Sequence, residues 1–120
     1  MIEKETLDLP VVKAIEESYP QMTSEYKKIV NEQYIIFCKK QTNYGPTNIS
    51  VGTNLETDDD VKLSLTGLFF RLNDKIQRIK QLIVLNKKNE VDDESTEDTF
   101  QDLGNYSIIA QLVSRKKWGR

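Results

Sequence analysis

Leu65-Thr66-Gly67-Leu68-Phe69-Phe70-Arg71-Leu72-Asn73-Asp74-Lys75-Ile76-Gln77-Arg78-Ile79 is the most strongly periodic stretch of the chain. Leu65, Leu68, Phe69, Leu72, Ile76, Ile79 and then Ile83 return at steps of three and four, the spacing that stacks side chains on one face of an α-helix. The alternation of a half-buried strand is missing. The period predicts a helix over about 61–87. Beside the apolar stripe runs a basic row, Arg71, Lys75 and Arg78, at spacing four and three.

The flanking sequence reads as further helices. Downstream, residues 86–93 form a polar connector, and Ser95 followed by Asp98 resembles a capping box that opens a helix running to about Lys117. Phe100, Leu103, Ser107, Ala110 and Val113 mark its expected core face. Upstream, Tyr26, Ile29, Val30, Gln33, Ile36 and Phe37 recur at helical spacing in a segment that starts at Thr23 or Ser24 and ends at Asn43-Tyr44-Gly45-Pro46. A loop over about 43–60 follows, long for a small helical domain, and Asp58, Asp59 and Asp60 close it and can cap the next helix. Residues 8–19 predict a short first helix, with Asp8 as N-cap and Pro20 as stop; an extended arm is the alternative. The expected fold is all-α: one domain over 1–120, an antiparallel bundle of about four helices with one long loop between helices two and three.

Composition narrows the chemistry. The 120 residues contain no histidine and one cysteine, Cys38. Triads with a histidine base, histidine acid–base catalysis and zinc sites built from His or several Cys are excluded. One thiol makes no intramolecular disulfide. Carboxylates, Lys, Arg, Tyr and oxygen-bound metals such as Mg²⁺ remain. The net charge of −2 argues against nucleic acid as a main partner. No stretch is apolar enough for a membrane span, and Met1-Ile2-Glu3-Lys4-Glu5 is too polar for a signal peptide, so the expected location is the cytoplasm.

Three groups of residues carry functional expectations. Glu94, Asp98, Gln101, Asp102 and Asn105 share one helix face, which continues into the apolar Ile109 and Leu112 and is therefore expected to be partly covered. Glu94, Asp98 and Asp102 can hold Mg²⁺; a solvated acidic first turn is the plainer alternative. Arg71, Lys75 and Arg78 can pair with those acids or bind phosphate oxygens, and the residues alone favour neither. Tyr44, Gly45 and Asn48 offer phenol, close backbone approach and amide at one loop, which also reads as a helix-terminating turn. Tyr44 and Tyr106 can stack on a base. The run Arg115-Lys116-Lys117-Trp118-Gly119-Arg120 reads as a basic, solubilising tail.

Several blocks together resemble a known family. Ser64-Leu65-Thr66, Phe70-Arg71, Lys75-Ile76-Gln77-Arg78-Ile79, Glu94-Ser95-Thr96-Glu97-Asp98-Thr99-Phe100 and Asp102-Leu103-Gly104-Asn105-Tyr106-Ser107-Ile108-Ile109-Ala110 look like the nucleotide modification associated domain family, type 1. The Asn43-Tyr44-Gly45 turn resembles that family's Asp-Tyr-Gly loop. The likeness extends over about 24–114. It implies a phage or bacterial protein concerned with nucleotide or DNA-base modification. A more distant likeness to the all-α nucleoside triphosphate pyrophosphatases of the MazG and dimeric dUTPase type implies Mg²⁺ and a homo-oligomer. The Glu-Glu-x-x-Glu of those enzymes has no counterpart, since only Glu25 and Glu32 stand on helix two.

The leading functional expectation is a nucleotide-binding protein that requires no cofactor. Arg71, Lys75 and Arg78 would hold phosphate, Tyr44, Gly45 and Asn48 the entrance, and Asp98, Asp102, Asn105 and Tyr106 the sugar or base. The ligand is a phosphorylated nucleotide or a nucleotide-derived signal of host immunity. A Mg²⁺-dependent pyrophosphatase and a non-catalytic helical interaction protein are the alternatives.

Overall fold

The computed structural model describes residues 2–120. Among the described residues helix accounts for 74% and no strand occurs, as the periodicity requires. Contacts divide the chain into two compact units, Met1–Lys40 and Gln41–Arg120.

The first unit contains α1 (Lys4–Leu7), α2 (Pro10–Ser18) and most of α3 (Pro20–Tyr44). Pro10 opens α2 from an extended Leu9, because its fixed φ suits the first helical position. Pro20 ends α2 and starts α3. The residue before a proline is pushed out of the helical region, and Tyr19 stands at φ −135°, ψ 66°. Helix two of the sequence reading therefore begins three or four residues earlier than its Thr23 or Ser24 start. Lys27 Nζ meets Glu16 Oε2 at 2.6 Å and ties α2 to α3. None of these three helices contains a buried residue.

The second unit holds the hydrophobic core. Its elements are α4 (Thr47–Ser50), α5 (Asp58–Ile79) running into a π-helical turn (Lys80–Val84), and α6 (Thr96–Ser114). Thr57, not an aspartate, caps α5: its Oγ1 accepts the Asp60 amide at 3.1 Å, while Asp58, Asp59 and Asp60 complement the positive end of the helix. Arg78 meets Thr99, Lys75 meets Asp102 and Arg71 faces Tyr106, so α5 and α6 run antiparallel. Ile49, Leu55, Leu68, Ile109, Val113 and Trp118 form the core, each at most 5% exposed.

The packing face differs from the apolar stripe. On α5 the buried residues are Ser64 and Leu68, whereas Phe69 is 60% and Ile76 53% exposed. On α6 they are Thr99, Asn105, Ile109 and Val113; Phe100 and Ser107, expected in the core, face outward. Both helices bury polar residues where hydrogen bonds satisfy them, Thr99 across the seam to Arg78 and Ser64 toward α4. Ser64 Oγ donates to Ile49 O at 2.6 Å. The segment 115–120 is not a frayed tail. Trp118 is buried, and its Nε1 donates to Pro46 O at 2.9 Å.

Truncating Leu68 to Ala is expected to cost about 2–5 kcal/mol, as for a fully packed leucine. Phe69→Ala is expected to cost under about 1 kcal/mol. Urea denaturation of both variants measures the contrast; similar losses would put Phe69 back in the core.

Candidate functional site

The basic row of α5 and the acidic row of α6 meet along the antiparallel seam. Lys75 Nζ lies 3.1 Å from Glu94 Oε1 and 3.0 Å from Asp102 Oδ2. All three side chains are at most one-third exposed, so the ions are partly desolvated and depend on one another. Burial opposes the Lys75 charge. The hydrogen bonds to Asp102 and Glu94, with their negative charges, outweigh it and hold the ammonium pKa above the ordinary 10.5.

Arg78 completes the brace. Its Nε donates to Thr99 Oγ1 at 3.1 Å and lies 3.6 Å from Glu94 Oε1. Its Nη2 donates to Glu94 O at 2.6 Å and to Asn89 Oδ1 at 3.2 Å. Asn89 Oδ1 also accepts the Val91 amide at 3.0 Å, and Asn89 Nδ2 donates to Glu94 O at 2.8 Å. The polar connector is thus folded around one guanidinium.

Arg71, one turn back along α5, is treated differently. Among the described residues no carboxylate lies within salt-bridge distance of it. Its Nη2 makes one long bond, 3.5 Å, to Asn48 O, and its guanidinium carbon stands 6.0 Å from the centre of the Tyr106 ring. Asn48 lies on α4, and its Oδ1 is buried without a hydrogen-bond partner among the described residues. A half-buried guanidinium has five donors in a planar fork suited to phosphate. Here most of them are uncommitted.

The other expected residues fall into distinct places. Asp98 Oδ2 accepts the Ser95 amide and Ser95 Oγ accepts the Asp98 amide, both at 3.0 Å, which is the capping box that the sequence suggests. Asn105 is buried in the seam and Tyr106 half-buried. Gly45, at φ +68°, terminates α3 in the left-handed region, and its amide donates to Gln41 O at 2.9 Å. Tyr44 is 67% exposed and shares no hydrogen bond or ring contact with Arg71 or Tyr106 among the described residues. Sequence reasoning missed Thr99, Asn89 and Trp118. Thr99 follows the acidic first turn and Trp118 is the one tryptophan of the chain, so position and rarity were the available signals.

The Mg²⁺ set does not assemble. Among the described residues no three His, Cys, Asp or Glu side chains are grouped to hold a metal ion. Glu94 and Asp102 already share the Lys75 ammonium, which stands where a cation bridging them would sit, and Asp98 serves the cap. The residues as arranged do not fit the metal.

Residues 61–113 match the model of the family described as nucleotide modification associated domain 1. The matched segment runs from the fourth residue of α5 through the connector to the last residue but one of α6, and so carries the whole brace together with Arg71 and Tyr106. No curated protein and no solved structure matches the chain significantly. The likeness to all-α pyrophosphatases has no support from these comparisons.

A lysine whose folded pKa exceeds its unfolded value adds stability below the unfolded value, and that contribution is lost as pH rises through the folded one. The gap in stability between wild type and Lys75→Met is therefore expected to be about 1–3 kcal/mol at neutral pH. It should shrink above pH 10.5 as Lys75 deprotonates. Urea titrations of both proteins across pH measure it; a gap independent of pH would remove the ion pairs as its origin.

Proposed function

We propose that this chain, whose 61–113 segment matches the model of nucleotide modification associated domain 1, binds a phosphorylated nucleotide or a nucleotide-derived signal at Arg71. The observation that carries the reading is the division of the basic row. Lys75 and Arg78 are neutralised by Glu94 and Asp102, whereas Arg71 has no carboxylate partner among the described residues. A half-buried cation without an anion calls for one from outside, and a phosphate accepts the guanidinium fork through two parallel hydrogen bonds. The Tyr106 ring offers a face for a base, and the Asn48 amide supplies polar contacts.

In this reading Lys75, Arg78, Glu94, Thr99 and Asp102 do not touch the ligand. They hold α6 in register, so that Tyr106 stays opposite Arg71. Binding without turnover fits the pairing of Glu94 and Asp102 with Lys75 better than pyrophosphate release does. The family name supports a setting in nucleotide or DNA-base modification. A phage protein that sequesters a host immune nucleotide belongs to the same proposal, as does a cytoplasmic location. No described helix is long and apolar enough to cross a membrane.

Self-association is part of the proposal. Helices α1, α2 and α3 bury no residue, and Val11, Ile15, Met22 and Tyr26 stand exposed around an apolar groove of about 450 Å³. Apolar helix faces of this kind are stable when another layer covers them. Light scattering is expected to give a mass above the 13.9 kDa of one chain. A monomer at micromolar concentration would remove this part.

Calorimetric titration with ribo- and deoxyribonucleoside triphosphates, cyclic dinucleotides and ADP-ribose tests the binding. Arg71→Ala should weaken the ligand that binds by about 1.5–3 kcal/mol, the worth of a charge-assisted hydrogen bond. Arg71→Lys should restore part of it. No binding across the panel would overturn the reading. Release of pyrophosphate that is lost in Asp98→Asn would replace it with the enzyme alternative.

A further inference from the structure

The segment between α3 and α5, which contains only the short helix α4, is held from outside by side chains. Five of its carbonyl oxygens accept such bonds. Trp118 Nε1 donates to Pro46 O at 2.9 Å, Arg71 Nη2 to Asn48 O at 3.5 Å and Ser64 Oγ to Ile49 O at 2.6 Å. Arg120 Nη2 donates to Asn54 O at 2.5 Å and Lys116 Nζ to Glu56 O at 3.2 Å. Three of the five donors belong to residues 116–120. Lys116 also stands 3.6 Å from Asp58 Oδ1, at the start of α5.

The held segment has backbone that would not persist alone. Val51 and Leu55 adopt φ of 55° and 57°, the left-handed region that β-branched and bulky residues avoid. Leu55 is nevertheless 2% exposed. The holding segment is bent in the same way, with Lys116 at φ 55° and Gly119 at φ 71°. A Cβ on Gly119 would stand 3.2 Å from Pro46 Cβ, so the two segments lie against each other. Strained conformations survive where surrounding contacts over-determine them.

We propose that residues 116–120 form a clasp that fixes segment 46–56 and, through it, places Asn48 beside Arg71, with Trp118 as the positioning residue. The purpose of the clasp rests on the nucleotide-binding reading; its geometry does not. Asn48 lies between two anchored carbonyls, Pro46 O on the clasp and Ile49 O on Ser64. Its Oδ1 is buried without a partner among the described residues, an arrangement that a mobile loop would relieve by turning the amide to water. The clasp prevents that turn. It keeps an unsatisfied acceptor next to an uncommitted guanidinium, so a ligand that carries a hydroxyl or amine donor beside its phosphate meets both at an entrance already formed. The clasp lies outside the 61–113 family segment.

Two variants test the clasp. Trp118→Phe keeps a ring in the core and removes the N–H; Lys116→Ala with Arg120→Ala removes two donors from exposed positions. Hydrogen exchange of the 47–55 amides is expected to quicken by about three- to tenfold in both, the effect of a lost hydrogen bond on local opening, with the amides around Leu68 unchanged. Inorganic pyrophosphate serves as the phosphate probe. Its Kd should rise by a similar factor in both variants, and Lys116→Arg with Arg120→Lys should restore it. Exchange that is unchanged, or that quickens evenly through α5 and α6, overturns the clasp. Equal binding of pyrophosphate by wild type and both variants overturns its positioning role and leaves the binding reading intact. A loop that responds in a wild type that binds neither pyrophosphate nor any nucleotide supports the clasp and overturns the binding reading.

Discussion

One ammonium group shared by two carboxylates sets the register of the second unit. Lys75 lies between Glu94 and Asp102, at 3.1 and 3.0 Å, in a seam from which much of the water is excluded. A shift of one turn between α5 and α6 would leave one carboxylate or the ammonium without a partner in that seam, where partial desolvation makes an unpaired charge costly. The brace therefore fixes which residues of the two helices face each other. Arg78 is drawn onto Thr99 and the Glu94 carbonyl, and Arg71 is left opposite Tyr106 and α4. The unmatched cation is a consequence of where the matched ones stand.

The second constraint acts from the other end of α6. That helix ends at Ser114, and the chain turns back through Lys116 to bury Trp118 against Pro46. This contact joins residues about 70 positions apart and closes the second unit around Val113 and Leu55. It also gives the segment 46–56 an order that its own composition cannot supply. The brace and the clasp thus hold the two sides of the proposed site, Tyr106 from α6 and Asn48 from α4.

Much of the helix plan was legible in the residues. The three- and four-step period of α5 and the Ser95–Asp98 capping box are local signals, and local backbone energetics is enough to read them. The buried face was not. Apolar periodicity pointed to Phe69 and Phe100, but the faces in contact carry Ser64, Thr99 and Asn105. Periodicity cannot tell a polar residue satisfied across a seam from one in water. The same blindness hid Trp118, whose flanking charges resemble a solvated tail. The partial cover of the acidic row was inferred correctly from its continuation into Ile109, because that inference used both halves of the helix face.

The amino-acid order by itself determined an all-helical chain, the positions of two rows of opposite charge, and a vocabulary of carboxylate, amide, phenol, lysine and arginine with no histidine. Those properties follow from residue type and short-range spacing. The pairing of the rows was decided only by the tertiary structure. Which cations find carboxylates depends on the rotation and register of α5 against α6, and these are set by contacts between residues about 20–35 positions apart. Folding left Lys75 and Arg78 neutralised and Arg71 not. The distinction that carries the functional reading therefore lies in the packing, since three basic residues on one helix row are equivalent until a second helix is laid against them.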